Sequence, residues 1–277
     1  MIIEKAYAKV NLALEVGQEN KDGYHDVNNI MVPVDLFDIL TFEEINSDVI
    51  LLDNTNIKST DNIIYKAAKL FLQTYKINKG VLITLEKNIP QEAGLAGGSA
   101  DAAATFRGLT KLFNLDIPLD ELAQLSISLG SDIAYCIYDK AALCTGRGTK
   151  VKLINANYPK WNILLVKPPF GCSTKEIYKK YKKDEENKKK KLNNVIKALE
   201  TGDLALLQEN SFNELEAPAF KLYPELEKLR LDYSSKTYCM MSGSGSTLFM
   251  ISDDLELLTK IKENSSKYIN LYLTKLL

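Results

Sequence analysis

The sequence predicts an α+β protein in two lobes, and three observations carry that expectation. Strand-like and helical patterns alternate without a fixed order: residues 2–16 and 80–85 are rich in β-compatible side chains, whereas residues 62–75 carry apolar residues at helical spacing. A composition shift near Tyr158-Pro159 is followed by a new apolar run at 161–166, as a second sheet requires. The 277 residues, 45% apolar and 26% charged, suffice for two medium domains with buried cores. The expected division is 1–155 and 156–277.

Taken in order, residues 2–16 read as one or two strands, with Asp22-Gly23 as a tight turn behind them. Strands follow at 38–43 and 49–52. Ile63, Ala67, Leu70 and Phe71 mark one face of a helix over 62–75, and residues 80–85 alternate as a strand. A Pro/Gly loop from Pro90 leads into an Ala-rich helix that buries Ala103, Phe106, Leu109 and Phe113. A second helix, 119–129, stops at Gly130, and short strands flank a turn at Asp139-Lys140. Gly146-Arg147-Gly148 is loop. Beyond the strand at 161–166, stopped by Pro168-Pro169, the chain is mostly helical to Arg230. Strands at 237–241 and 247–251, a helix and a strand at 269–274 end it.

The charge balance, 35 basic against 36 acidic residues, gives no reason to expect nucleic acid or an anionic membrane as partner. The run from Lys179 to Lys191 holds eight lysines against three acids, and reads as a solvated face. Cys136, Cys144, Cys172 and Cys239 form no CxxC pair, and His25 is the single histidine, so a zinc site is poorly supported. No secretory signal and no membrane-length apolar run is visible, which places the protein in the cytoplasm as an expectation.

Four motifs carry chemistry. In Pro90-Gln91-Glu92-Ala93-Gly94-Leu95-Ala96-Gly97-Gly98-Ser99-Ala100-Asp101, small residues run from a loop into a helix. Such a segment lets backbone N–H groups and a positive helix end meet phosphate oxygens, and Ser99 adds a hydroxyl. It is neither a Walker A nor a Rossmann spacing. The second is Gly130-Ser131-Asp132, and the third Ala8-Lys9-Val10-Asn11, where Lys9 and Asn11 share a strand face. The fourth is Ser242-Gly243-Ser244-Gly245-Ser246 between two strands. Each of the last three has a bland reading alone: a helix end, a solvent lysine and a plain turn.

Together they resemble the signatures of the galactokinase, homoserine kinase, mevalonate kinase and phosphomevalonate kinase superfamily, from Lys9 to about Phe249. The resemblance implies a ribosomal-protein-S5-like N-terminal domain that binds ATP, a ferredoxin-like C-terminal domain, and a substrate cleft between the lobes. Lys21-Asp22-Gly23-Tyr24-His25 is similar to the branch whose acceptor is a cytidylated sugar alcohol of isoprenoid precursor synthesis, and distinguishes it from the homoserine and mevalonate branches.

The resemblance further implies roles. Asp132 accepts the proton of the acceptor hydroxyl; Lys9 keeps Asp132 ionised and counters charge on the transferred group. Asn11 orients the same region. Tyr24 and Tyr178 stack on the cytosine, His25 offers its ring nitrogens to the base edge, and Thr174 contacts the diphosphate. Asn62, Pro90, Ala93, Gly94, Leu95, Ala96, Gly97, Gly98 and Ser99 bind ATP. No acid besides Asp132 stands out as a direct ligand for Mg2+, which is expected to be held by phosphates and water. The competing expectation from another class is a nucleotide-binding regulatory protein that has lost turnover.

Overall fold

A computed structural model of the chain describes residues 1–20, 23–55, 60–183 and 188–277. Asp22 of the expected turn, and residues 184–187 of the lysine run, lie outside the described residues. The chain divides into two compact units, each discontinuous in sequence.

The first unit comprises Met1–Ala8, Leu36–Ile89 and Ala96–Asp139. Strand β1 (Ile2–Glu19) begins in it, and β2 (His25–Ile45) ends in it. The short β3 (Ile50–Asp53) runs parallel to β4 (Gly80–Glu86), which pairs antiparallel with the end of β2, Ile39 opposite Glu86. Helix α1 (Ile63–Thr74) starts where Asn62, in an extended conformation, accepts a hydrogen bond from the Ile64 amide. It buries Ile64, Ala67, Ala68, Phe71 and Leu72.

Helix α2 (Gly97–Leu112) buries Ala100 through Phe106 almost without interruption, because small side chains let it approach its neighbours closely. The tightest approach is at Gly108, where a Cβ would stand 2.3 Å from the Phe42 ring. Ala103, Phe106 and Leu109 are buried as expected, while Phe113 is only half-buried at the helix end.

Helix α3 (Leu119–Ser126) is shorter than the 119–129 expected. The next segment corrects the sequence reading: the stretch before Asp139 is not a strand but helix α4 (Ser131–Tyr138). Gly130 is its extended N-cap, and Arg107 on α2 closes its other end by donating from Nη1 to the Cys136 carbonyl at 2.7 Å. Ile133 to Ile137 are all buried, so the run carries no period that separates strand from helix.

The second unit comprises Lys9–Asp35, Pro90–Leu95 and Lys140–Leu277. Here the first half of β2 pairs antiparallel with β5 (Ala142–Gly146), which pairs with β6 (Lys150–Leu153). Sequence patterning placed strand only at 38–43; β2 in fact starts at His25. The remainder builds on β7 (Asn162–Lys167), followed by α5 (Thr174–Lys180), α6 (Lys189–Thr201), α7 (Leu204–Asn210), the two-residue β8 (Phe212–Asn213), α8 (Glu216–Leu222) and α9 (Pro224–Ser234). Then come β9 (Met240–Met241), β10 (Leu248–Ser252), α10 (Leu255–Glu263) and β11 (Asn270–Lys275).

The sheet runs β11-β7-β10-β9, antiparallel throughout, with Leu165 opposite both Tyr272 and Phe249. Its core joins Leu164, Val166, Met241, Leu248 and Met250 to Leu258 and Ile261 of α10 and to Leu14 and Val16 of β1. β8 lies parallel to β1, with Leu14 opposite Asn213. Among the described residues, no helix is long and apolar enough to cross a membrane.

Candidate active site

The loop after β4 is anchored before it turns. Asp38, wholly buried, accepts from the Asn88 amide at 2.6 Å and the Ile89 amide at 2.8 Å through one carboxylate oxygen. Its other oxygen takes the Lys87 ammonium at 2.5 Å, and Lys87 also reaches Asp101 at 2.7 Å. Burial pushes the Asp101 carboxyl up to about 7, against the pull of Lys87, and its second oxygen has no hydrogen-bond partner among the described residues.

Beyond Ile89 the backbone carbonyls are taken in sequence. Ala93 accepts from the Thr247 amide at 3.2 Å and Leu95 from the Lys9 amide at 3.1 Å. Gly94 accepts from Lys9 Nζ at 3.1 Å and Ser242 Oγ at 3.0 Å. Gly94 has φ +71°, and a Cβ on it would lie 2.2 Å from the Ser242 carbonyl oxygen, so only glycine fits. The phosphate loop and the C-terminal glycine motif are thus packed backbone to backbone.

Ala96, in the left-handed region, opens α2 with no side-chain cap and no acid in the first turn. The positive helix end is therefore left without a side-chain acceptor. A Cβ at Gly98 would meet nothing closer than Ile63 Cγ2 at 3.8 Å, so packing does not dictate glycine there. Bare backbone at an uncapped helix start fits a phosphate group. Ser99 is half-exposed beside it, as is Pro90 where the loop leaves β4.

Lys9 and Asn11, expected on one strand face, do meet: Lys9 Nζ donates to Asn11 Oδ1 at 2.7 Å, and both are buried. Asn11 donates in turn to Asn29 Oδ1 at 2.8 Å, and Ser242 Oγ also donates to Asn11 at 3.3 Å. Asp132 belongs to the other unit, in the first turn of α4. Asn62 caps α1 with Oδ1 and donates from Nδ2 to Thr55 at 3.0 Å, so both ends of its amide are engaged.

The aromatic residues fall into two groups. His25 and Tyr178 face each other at 5.5 Å between ring centroids, tilted by 40°. His25 Nδ1 lies 2.9 Å from the Gly17 carbonyl oxygen. That carbonyl only accepts, so Nδ1 carries the proton and Nε2 alone remains for a ligand, one nitrogen fewer than expected. Tyr24 is 60% exposed, with the Arg147 guanidinium 4.7 Å over its ring. Thr174 Oγ1 is 2.6 Å from Ser244 Oγ, which brings the start of α5 to the C-terminal glycine motif. Lys21, in the motif with Tyr24 and His25, lies outside the described residues.

Sequence reasoning missed several residues. Asn29 sits in a stretch not read as strand. Asn213 donates to the Met241 carbonyl at 2.9 Å and the Gly243 carbonyl at 2.7 Å, holding the glycine turn from below. Lys167, buried, donates to the carbonyls of Pro168 and Phe170, and burial lowers its pKa. The polar string Asn213-Glu214-Leu215-Glu216 was the available signal: three polar groups beside a core leucine, between helices. Among the described residues no group of three or more His, Cys, Asp or Glu is placed to hold a metal ion.

This combination defines a small-molecule kinase of the GHMP class. The family model described as GHMP kinases N terminal domain matches residues 62–140, and the one described as GHMP kinases C terminal matches residues 195–270. The chain is 40% identical over 276 residues to the 4-diphosphocytidyl-2-C-methyl-D-erythritol kinase of Clostridium botulinum (strain Eklund 17B / Type B), covering 98% of each chain. A crystal structure of 4-(cytidine 5'-diphospho)-2C-methyl-D-erythritol kinase superposes with a TM-score of 0.83 at 28% identity over 99% of both chains. The homoserine kinase of Cytophaga hutchinsonii shares the fold, at TM-score 0.75 and 18% identity over 99% of this chain and 94% of that one. The chain belongs to the family of 4-diphosphocytidyl-2-C-methyl-D-erythritol kinases.

Proposed function

We propose that the protein transfers the γ-phosphoryl group of ATP to the 2-hydroxyl of 4-diphosphocytidyl-2-C-methyl-D-erythritol, in the cytoplasm, as a step of non-mevalonate isoprenoid precursor synthesis. The observation that carries this choice of acceptor is the His25–Tyr178 pair, rings 5.5 Å apart, in the same compact unit as Lys9, Gly94 and Ser242. An aromatic face beside a ring nitrogen suits a nucleobase, and base stacking contributes roughly 1–3 kcal/mol.

In this reading the amides of Gly97, Gly98 and Ser99 hold phosphate oxygens at the head of α2, with Pro90 and Ala93 to Ala96 shaping the approach. Asn62 keeps its cap and presents the start of α1 to the nucleotide. Lys9 sets its charge against the group in transfer, and Asn11 aims Lys9. Asp132 takes the hydroxyl proton as the new P–O bond forms; the bond from γ-phosphorus to the β-phosphate oxygen breaks, and ADP leaves. The proton then passes to water. Mg2+ would supply charge neutralisation when bound, with Ser99 and Asp132 the protein groups that would help to hold it beside the phosphates. Tyr24 and Tyr178 stack on the base, His25 Nε2 meets its edge, and Thr174 contacts the diphosphate. The division at residue 155, ATP binding on the N-terminal side, belongs to the same proposal.

The test is ADP release with 4-diphosphocytidyl-2-C-methyl-D-erythritol, homoserine and mevalonate offered separately. Turnover confined to the cytidylated acceptor is expected. Turnover on homoserine or mevalonate alone reverses the choice of acceptor, and ATP binding with no turnover on any of the three overturns the kinase reading.

A further inference from the structure

Tyr181 closes α5, one helical turn beyond Tyr178, and its ring stands edge-on to His25 at 5.7 Å and 89°. Its hydroxyl lies 2.8 Å from the Val16 carbonyl oxygen and 2.8 Å from Glu214 Oε2. The same Glu214 oxygen accepts from the Val16 amide at 2.7 Å. One carboxylate just after β8 therefore fixes both the end of β1 and the end of α5. The Glu214 amide is itself tied to the Leu14 carbonyl at 3.0 Å, so the carboxylate projects from a fixed backbone.

The consequence falls on His25. Its ring is gripped at three points: Gly17 through Nδ1, Tyr178 on one side and Tyr181 at an edge. Edge-to-face contacts define orientation as well as area, so the angle of the imidazole follows the placement of Tyr181. α5 is only seven residues long; Ile177 is fully buried in the core, Tyr178 and Tyr181 pack against it, and the Tyr181 hydroxyl adds the one polar tie at the helix end described above.

We propose that Tyr181, latched by Glu214, is a positioning residue that fixes the His25–Tyr178 pair for the cytosine of the acceptor. The inference rests on the acceptor reading above. Tyr181 touches no reacting atom, and the latch acts on acceptor recognition, leaving phosphoryl transfer and ATP binding untouched.

The experiment compares wild type with Tyr181→Phe, which keeps the ring and removes the hydroxyl, and with Glu214→Gln, which keeps the shape and removes the charge. KM for the cytidylated acceptor, KM for ATP and kcat are measured, together with calorimetric binding of CDP. Loss of a hydrogen bond to a charged group predicts that Tyr181→Phe raises the acceptor KM and weakens CDP binding by about tenfold, Glu214→Gln by less, with kcat and the ATP KM unchanged. Unchanged acceptor KM and CDP binding in both variants overturns the latch while leaving the acceptor reading standing. A fall in kcat together with a rise in both KM values also overturns it, since that marks a general structural role. A wild type that neither binds CDP nor uses the cytidylated acceptor overturns the acceptor reading, and the latch with it.

Discussion

Lys9 Nζ donates to Asn11 Oδ1 at 2.7 Å while the Asn11 amide nitrogen donates to Asn29 Oδ1 at 2.8 Å. The chain of donation has a direction, and it turns the oxygen of Asn11 toward the ammonium. Asn29→Asp keeps an acceptor for Asn11, whereas Asn29→Leu removes it. Only the leucine variant is expected to lower kcat, by about tenfold for the loss of one buried hydrogen bond. Lys9→Met is expected to cost about 10²–10³-fold in kcat, the range for removal of one charge-stabilising group. Steady-state kinetics with saturating acceptor checks both.

Asp132→Asn tests the proton acceptor. The amide is nearly isosteric and keeps the first turn of α4, so thermal stability and ATP binding are expected to stay near wild type. kcat is expected to fall by about 10²–10⁴-fold, as for loss of a general base. Equal turnover in the two proteins rejects the assignment.

Two glycines of the phosphate loop separate packing from binding. At Gly94, alanine sets a methyl group 2.2 Å from the Ser242 carbonyl oxygen at φ +71°, and the melting temperature is expected to fall along with activity. At Gly98 a methyl group has room, so Gly98→Ala is expected to leave stability within about 0.5 kcal/mol of wild type. On the proposed ATP site its expected effect is a raised KM for ATP, because the methyl group would stand where phosphate is proposed to bind. Calorimetric unfolding beside ATP titration reads the contrast.

The Lys87–Asp38–Asp101 group predicts a pH dependence. Burial, with a smaller contribution from Asp38, raises the Asp101 carboxyl from 3.8 to about 7. Between those values the folded chain holds a proton that the unfolded chain has released. Unfolding then releases a proton, so the Asp101 contribution to stability declines as pH rises toward about 7. Asp101→Asn is expected to flatten the pH dependence of the melting temperature between pH 5 and 8. A slope equal to wild type contradicts the assignment.

The sequence reading succeeded where the pattern is local: α2 follows from the alanines at 100 and 102–104. It failed where partners are remote. Lys9 finds Gly94 at a separation of 85 positions and Ser242 finds it at 148, distances no local pattern encodes. α4 was misread because Ile133 to Ile137 are buried all round and the helix is closed by Arg107 from another element. The first half of β2 was missed because Asn28 and Asn29, poor strand formers, are placed by long-range bonds: Asn28 donates to Glu15 on β1 at 2.7 Å. The protonation of His25 depended on Gly17, eight positions away, and only the folded chain supplies that carbonyl.

The contact between Gly94 and Ser242 also bears on the order in which the protein becomes itself. A chain emerging from the ribosome presents Lys9 and the phosphate loop early, but the hydroxyl and carbonyl that seat Gly94 arrive 148 residues later. Closing so long a loop is slow and must wait for the glycine turn after β9. The segment around Gly94 is therefore made long before the residues that seat it, and its packing is completed only after the turn that follows β9 has been synthesised.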